Sequence, residues 1–107
     1  MASTEKSTQA ALIQWLEYKK IFHWRNNTGA FKTERGGFIK FGAVGSPDIV
    51  CIINGQYVGV ECKDVKGVLS PNQKIFKEKL EKAGGIYLVA RSVTDTIKEI
   101  EEICELF

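Results

Sequence analysis

The chain has 107 residues, 44% hydrophobic and 26% charged, a make-up that excludes a disordered or low-complexity segment and fits a single domain over 1–107. A chain of this length buries roughly 65% of its unfolded surface, which supports one core and not two. The formal net charge of +2 does not by itself specify a polyanionic partner, but it is unevenly spread: six Lys and Arg stand against one Glu between Lys19 and Phe41, and five acids against one Lys between Asp95 and Phe107.

The longest uncharged run, the 12 residues from Ile49 to Val60, falls short of the roughly 18 that cross a membrane. The N-terminus lacks the apolar run of a secretory signal. Three cysteines without a Cys-x-x-Cys spacing, and the lone His23, do not make a structural zinc site, so a reduced, cytoplasmic protein is expected.

Residues 4–21 read as a helix. Leu12, Trp15, Leu16 and Lys19 recur at helical spacing, and Ser3 or Thr4 supplies an N-cap. His23 and Trp24 are expected to cap and pack this helix. From Gly29 to Gly42, two short strands flank a glycine-containing turn. Two β-branched runs then meet at Asn54-Gly55, the strongest short hairpin signal. A two-residue turn there pairs Ile53 with Gln56, Ile52 with Tyr57, Val50 with Gly59 and Asp48 with Glu61. Ser70-Pro71-Asn72-Gln73 opens a helix with an N-cap, a proline at its first position and a capping box. Phe76, Leu80 and Ala83 form its apolar stripe, and Gly84-Gly85 ends it. The apolar run Ile86–Ala90 reads as a buried strand. Residues 94–106 read as a helix with Ile97, Ile100, Ile103 and Cys104 inward. The fold class is therefore α/β: a small mixed β-sheet flanked by helices.

The hairpin register carries the chemistry. Asp48 and Glu61, opposed on antiparallel strands, would bring their Cβ atoms to about 4.5–5.5 Å on one face. Two like charges there need compensation, and hard carboxylate oxygens suit Mg²⁺ or Mn²⁺. Lys63 follows on the same face, where it can hold or polarise a water. The opposite face, with Ile49, Cys51, Ile53, Val58 and Val60, is core. Glu5 lies within about 20° of the Leu12–Leu16 stripe on an ideal helix, so one end of that stripe points a carboxylate inward. Gln73 has a capping role and can also aim its amide at the carboxylates.

Gly45-Ser46-Pro47-Asp48, Glu61-Cys62-Lys63, Gly67 and Ser70-x-x-Gln73 together resemble the VRR-NUC family of PD-(D/E)XK nucleases. Glu5, Gln9, Arg25-Asn26-Asn27-Thr28-Gly29 and Gly84-Gly85 extend the resemblance over residues 5–94. The resemblance implies a restriction-endonuclease-like core and metal-dependent hydrolysis of DNA phosphodiesters in a bacterial or phage-infected cell. Asp48 and Glu61 would bind Mg²⁺ or Mn²⁺, joined by the backbone carbonyl of Cys62 and, directly or through water, by Glu5. Lys63 and Gln73 would complete the catalytic set. Small members of the family imply a homodimer that cuts branched DNA, such as four-way (Holliday) junctions. Arg25, Asn26, Lys32, Arg35 and Lys40 are the candidate DNA contacts, since cations on phosphates supply most nonspecific affinity. Phe31, Phe38 and Phe41 are interleaved with them and suit stacking on unpaired bases or a dimer interface. The alternative is a catalytically silent or partner-dependent DNA-binding module of the same fold.

Overall fold

The computed structural model describes residues 4–26 and 29–107, with the side chains of all but 29–31 and 39–41. Ser3, Asn27 and Thr28, and the side chains of Phe31, Lys40 and Phe41, lie outside that description.

Helix α1 spans Glu5–Tyr18. Its N-cap is Thr4, whose hydroxyl accepts from Ser7 N–H while the Ser7 hydroxyl accepts from Thr4 N–H, so two orphan donors are satisfied reciprocally. The helix ends earlier than the periodicity suggests. Lys20 adopts a left-handed φ of 58°, and the chain turns into a strand, β1 (Phe22–Arg25), where packing against the helix is expected from the sequence. His23 and Trp24 belong to this strand. Four residues rich in aromatics give too short a pattern to announce a strand; pairing with a neighbour makes it one.

Strands β2 (Gly29–Lys32) and β3 (Phe38–Phe41) pair antiparallel as a separate two-stranded sheet. Strands β4 (Ile49–Ile53) and β5 (Gln56–Cys62) form the expected hairpin. Asn54 and Gly55 have φ of 50° and 83°, the double left-handed turn that matches strand twist. The register is Ile53–Gln56, Ile52–Tyr57, Cys51–Val58, Val50–Gly59 and Ile49–Val60, as the turn dictates.

Helix α2 (Pro71–Lys82) carries the chain across to β6 (Ile86–Ala90), which lies parallel to β5. A parallel return needs such a crossover. Helix α3 (Val93–Leu106) closes the chain behind the N-cap Ser92. The main sheet is mixed, in the order β1-β4-β5-β6.

Strand alternation splits the sheet into two unlike faces. One carries Ile49, Cys51, Ile53, Val58, Val60, Cys62 and Ala90, all buried with Leu12, Leu16, Ile100 and Ile103 beneath α1 and α3. The other carries Val50, Gly59, Glu61 and Tyr87, and α2 packs on it beside β6, with the Phe76 and Tyr87 rings 6.2 Å apart. Cys104, expected inward, is exposed. It sits in the last turn of α3, where a shallow groove with Trp15, Lys19, Ile21, Glu101 and Glu105 replaces core. Among the described residues, no helix is long and apolar enough to cross a membrane.

A Cβ on Gly55 meets nothing within 4 Å, so Gly55→Ala tests backbone strain alone. The expected loss is about 1 kcal/mol in urea unfolding, with an unchanged m-value.

Candidate active site

The site forms where β4 begins and β5 ends. By the hairpin register Asp48 would face Glu61, but the ladder stops one rung earlier, at Ile49–Val60. Asp48 lies just outside β4, a correction to the expected pairing. The cause is local: Pro47 has no N–H to give the ladder, and Cys62 N–H, which would donate to the Pro47 carbonyl, is taken by the Asp48 side chain, while the Asp48 carbonyl accepts from Asn26 N–H of the β1 side at 2.8 Å. The Asp48 carboxylate bridges the gap instead, with Oδ2 accepting from Cys62 N–H at 2.8 Å. The two carboxyl groups thus remain neighbours, fixed by a side chain rather than a rung.

Each residue of the Gly45–Asp48 segment has a physical task. Gly45 has φ +83°, and a Cβ there would stand 2.3 Å from the Asn72 carbonyl oxygen, so glycine permits contact with the start of α2. The Ser46 hydroxyl donates to the Ala43 carbonyl at 2.6 Å. Pro47 is buried against Gly59, where any Cβ would collide with its ring. Asn26 binds the segment together, its Nδ2 donating to Ser46 Oγ at 2.7 Å and to the Pro47 carbonyl at 3.0 Å. Its amide hydrogens are therefore engaged within the protein, a different task from the DNA contact expected of it.

Glu61 is the unusual group. It is only 4% exposed, on the last part of β5. One oxygen, Oε2, accepts from Gln73 Nε2 at 2.7 Å, while Oε1 is buried without a partner. Gln73 serves two ends at once, since its Oε1 also accepts from Ser70 N–H at 2.9 Å in the capping box of α2. Burial first, then the Asp48 charge, pushes the Glu61 carboxyl up to about 8, with Lys63 pulling the other way. Burial first, then the Glu61 and Asp48 charges, also raises the Tyr87 phenol, whose hydroxyl is buried without a partner.

Lys63 follows β5, its N–H bonded to the Ala90 carbonyl, and its side chain is half-buried. The loop beyond is held by Asp64 Oδ1, which accepts from Lys66 N–H, and by Arg91, whose Nε and Nη2 both donate to the Gly67 carbonyl.

Glu5 is exposed in the first turn of α1. Burial, then Asp48, Glu61 and Glu5 in that order, push the Cys62 thiol up to about 12. Among the described residues, no three His, Cys, Asp or Glu side chains gather where they could hold a metal ion. The side-chain oxygens available are thus the Asp48–Glu61 pair, with Glu5 apart from it. Arg25, Lys32 and Arg35 are exposed, Arg25 on the β1 edge and the other two on and beside β2.

No protein-family model matches the chain, and neither does any curated protein. Solved structures do. One described as a VRR_NUC domain matches at 22% identity with a TM-score of 0.65, over 92% of this chain and 97% of that one. Another, described as a VRR_NUC domain protein, matches at 20% identity with a TM-score of 0.69, over 100% of this chain and 93% of that one. The chain has the VRR_NUC fold, a PD-(D/E)XK-like α/β architecture.

Two measurements test this geometry. In chelator, Glu61→Gln is expected to unfold at a higher temperature than wild type, because an amide can donate towards Asp48 while still accepting from Gln73. A carboxyl raised in the folded state favours folding below its unfolded value near 4.5 and loses that stability as pH climbs through about 8. The advantage of Glu61→Gln should therefore grow from pH 5 to pH 9, reaching on the order of 2 kcal/mol. Asn26→Ala is expected to cost about 2 kcal/mol in urea unfolding, and Asn26→Asp, isosteric but without donors, as much.

Proposed function

We propose that residues 1–107 form one VRR-NUC nuclease domain, a divalent-metal-dependent DNA endonuclease that works in the cytoplasm as a homodimer on branched DNA. The observation that carries the reading is the carboxylate pair, Glu61 buried and Asp48 half-buried beside it. Glu61 is held with a bare, buried Oε1 beside Asp48, and a lysine follows two residues later. Two carboxyl groups this close, one of them buried, present hard oxygens that a divalent cation fits. The likeness in fold to two VRR_NUC domains supports the same reading.

The cation would be held by Asp48 and Glu61, with the Cys62 carbonyl as the expected third oxygen. Bound there, it supplies Lewis acidity towards water and the scissile phosphate. The chain's own residues do the rest. Cys62 N–H and Gln73 Nε2 each hold one carboxylate oxygen, so the pair needs little reorganisation to bind. Lys63 places a positive charge where the attacking water and the phosphate oxygens meet. Lys32, Arg35 and Lys40 on or beside the β2–β3 hairpin, and Arg25 ahead of it, would follow the phosphate backbone.

The test is cleavage of end-labelled four-way junction, splayed flap and linear duplex in Mg²⁺ and in Mn²⁺. Asp48→Asn, Glu61→Gln and Lys63→Ala are each expected to lose more than about a hundredfold in rate, with circular dichroism unchanged. Full activity in Glu61→Gln would overturn the site. Paired symmetric cuts in the junction and a solution mass near twice 12.0 kDa are the results expected of a dimer. Metal-insensitive binding with no cutting of any substrate would favour the silent binding module.

A further inference from the structure

The large aromatics on β1 are not used by the site described above. Phe22 is 68% and Trp24 41% exposed, and their ring centroids are 5.9 Å apart in a tilted pair. β1 is the edge strand of the main sheet. Its register places Phe22 against Ile52 and Trp24 against Val50, and Asn26 N–H bonds to the Asp48 carbonyl one step further. Phe22, Trp24 and the carboxylate pair therefore share one sheet face, the one not occupied by α1 and α3. Helix α2 covers this face beside β6 and reaches Glu61 on β5 through Gln73. From Trp24 the diagonal neighbour across the strands is Asp48, about 7–8 Å away. That is roughly two stacked base steps of 3.4 Å.

We infer that Trp24 and Phe22 form a stacking platform for an unpaired base of the strand that enters the Asp48–Glu61 site. The inference rests on the nuclease reading and adds to it a recognition element for single-stranded character. Lys20 precedes the aromatic pair in the chain, and Lys63 stands beside Glu61 at the other end, while Arg25, paired with Ile49, is on the opposite face. The acids of the last segment lie in α3, on the opposite face of the sheet. What the platform fits follows from its place on the face of the carboxylate pair: an apolar protein surface has no use for the carboxylates and Lys63, whereas a nucleic-acid strand stacks a base on the rings while its phosphate meets Lys63. A duplex end cannot offer a free base face inside the strand, so the platform selects substrates with unpaired nucleotides near the cut.

The test compares wild type, Trp24→Ala, Phe22→Ala and Trp24→Phe on a flapped duplex and on a fully paired nicked duplex of the same sequence. Trp24→Ala is expected to lose about ten- to a hundredfold in kcat/KM on the flap and little on the nicked duplex. Trp24→Phe should recover most of the loss. Equal losses on both substrates, or no loss on either, would overturn the platform. So would a change in solution mass on Trp24→Ala, which would assign the surface to a second copy of the chain. Should wild type cut nothing, anisotropy of a labelled oligo-dT in chelator still decides the point. Weakened binding by Trp24→Ala would keep the platform while the nuclease reading fails, and unchanged binding would overturn it.

Discussion

The burial of the Glu61 carboxylate beside Asp48 is the constraint on which the rest of the site depends. A carboxyl at 4% exposure with one bare oxygen is costly in any fold. It persists because neighbouring groups over-determine its position. Gln73 holds one of its oxygens, Cys62 N–H holds Asp48, and Asn26 ties the chain before Asp48 to β1. The raised protonation equilibrium of Glu61 is the electrostatic trace of that arrangement.

The two faces of the sheet divide the labour. Leu12, Leu16, Ile100 and Ile103 seal one face, and this is where apolar burial stabilises the fold. The other face is sealed only in part. No α2 residue is fully buried, and its task is less to add core than to deliver Gln73. A capping box is an ordinary way to start a helix. Here the glutamine that closes the box reaches on to Glu61 with its second polar end, so the start of α2 is indexed to the carboxylates. Gly45 and Pro47 hold the opposite wall by close approach, to Asn72 and to Gly59.

Charge follows the same division. The acidic α3 lies behind the core face, away from the carboxylates, while lysines and arginines collect in the segment leading into Asp48.

Much of this was legible in the sequence wherever a local rule sufficed. Asn54-Gly55 sets its own turn, and that turn sets the register of β4 on β5, hence which residues share the face of Glu61. Ser70, Pro71 and Gln73 mark the start of α2, and the apolar run Ile86–Ala90 marks β6. What depends on distant partners was not legible. β1 is too short to declare itself and becomes a strand only through β4, which is why Trp24 read as helix packing. The departure of Asp48 from its rung needs Cys62, 14 residues away in sequence, whose N–H the Asp48 carboxylate takes. Cys104 looks inward on a helical wheel, yet the last turn of α3 lacks the core to cover it. Periodicity and turn chemistry act between near neighbours and can be read along the chain. Competition for a backbone hydrogen bond, and whether a surface is covered, are settled only when remote segments meet.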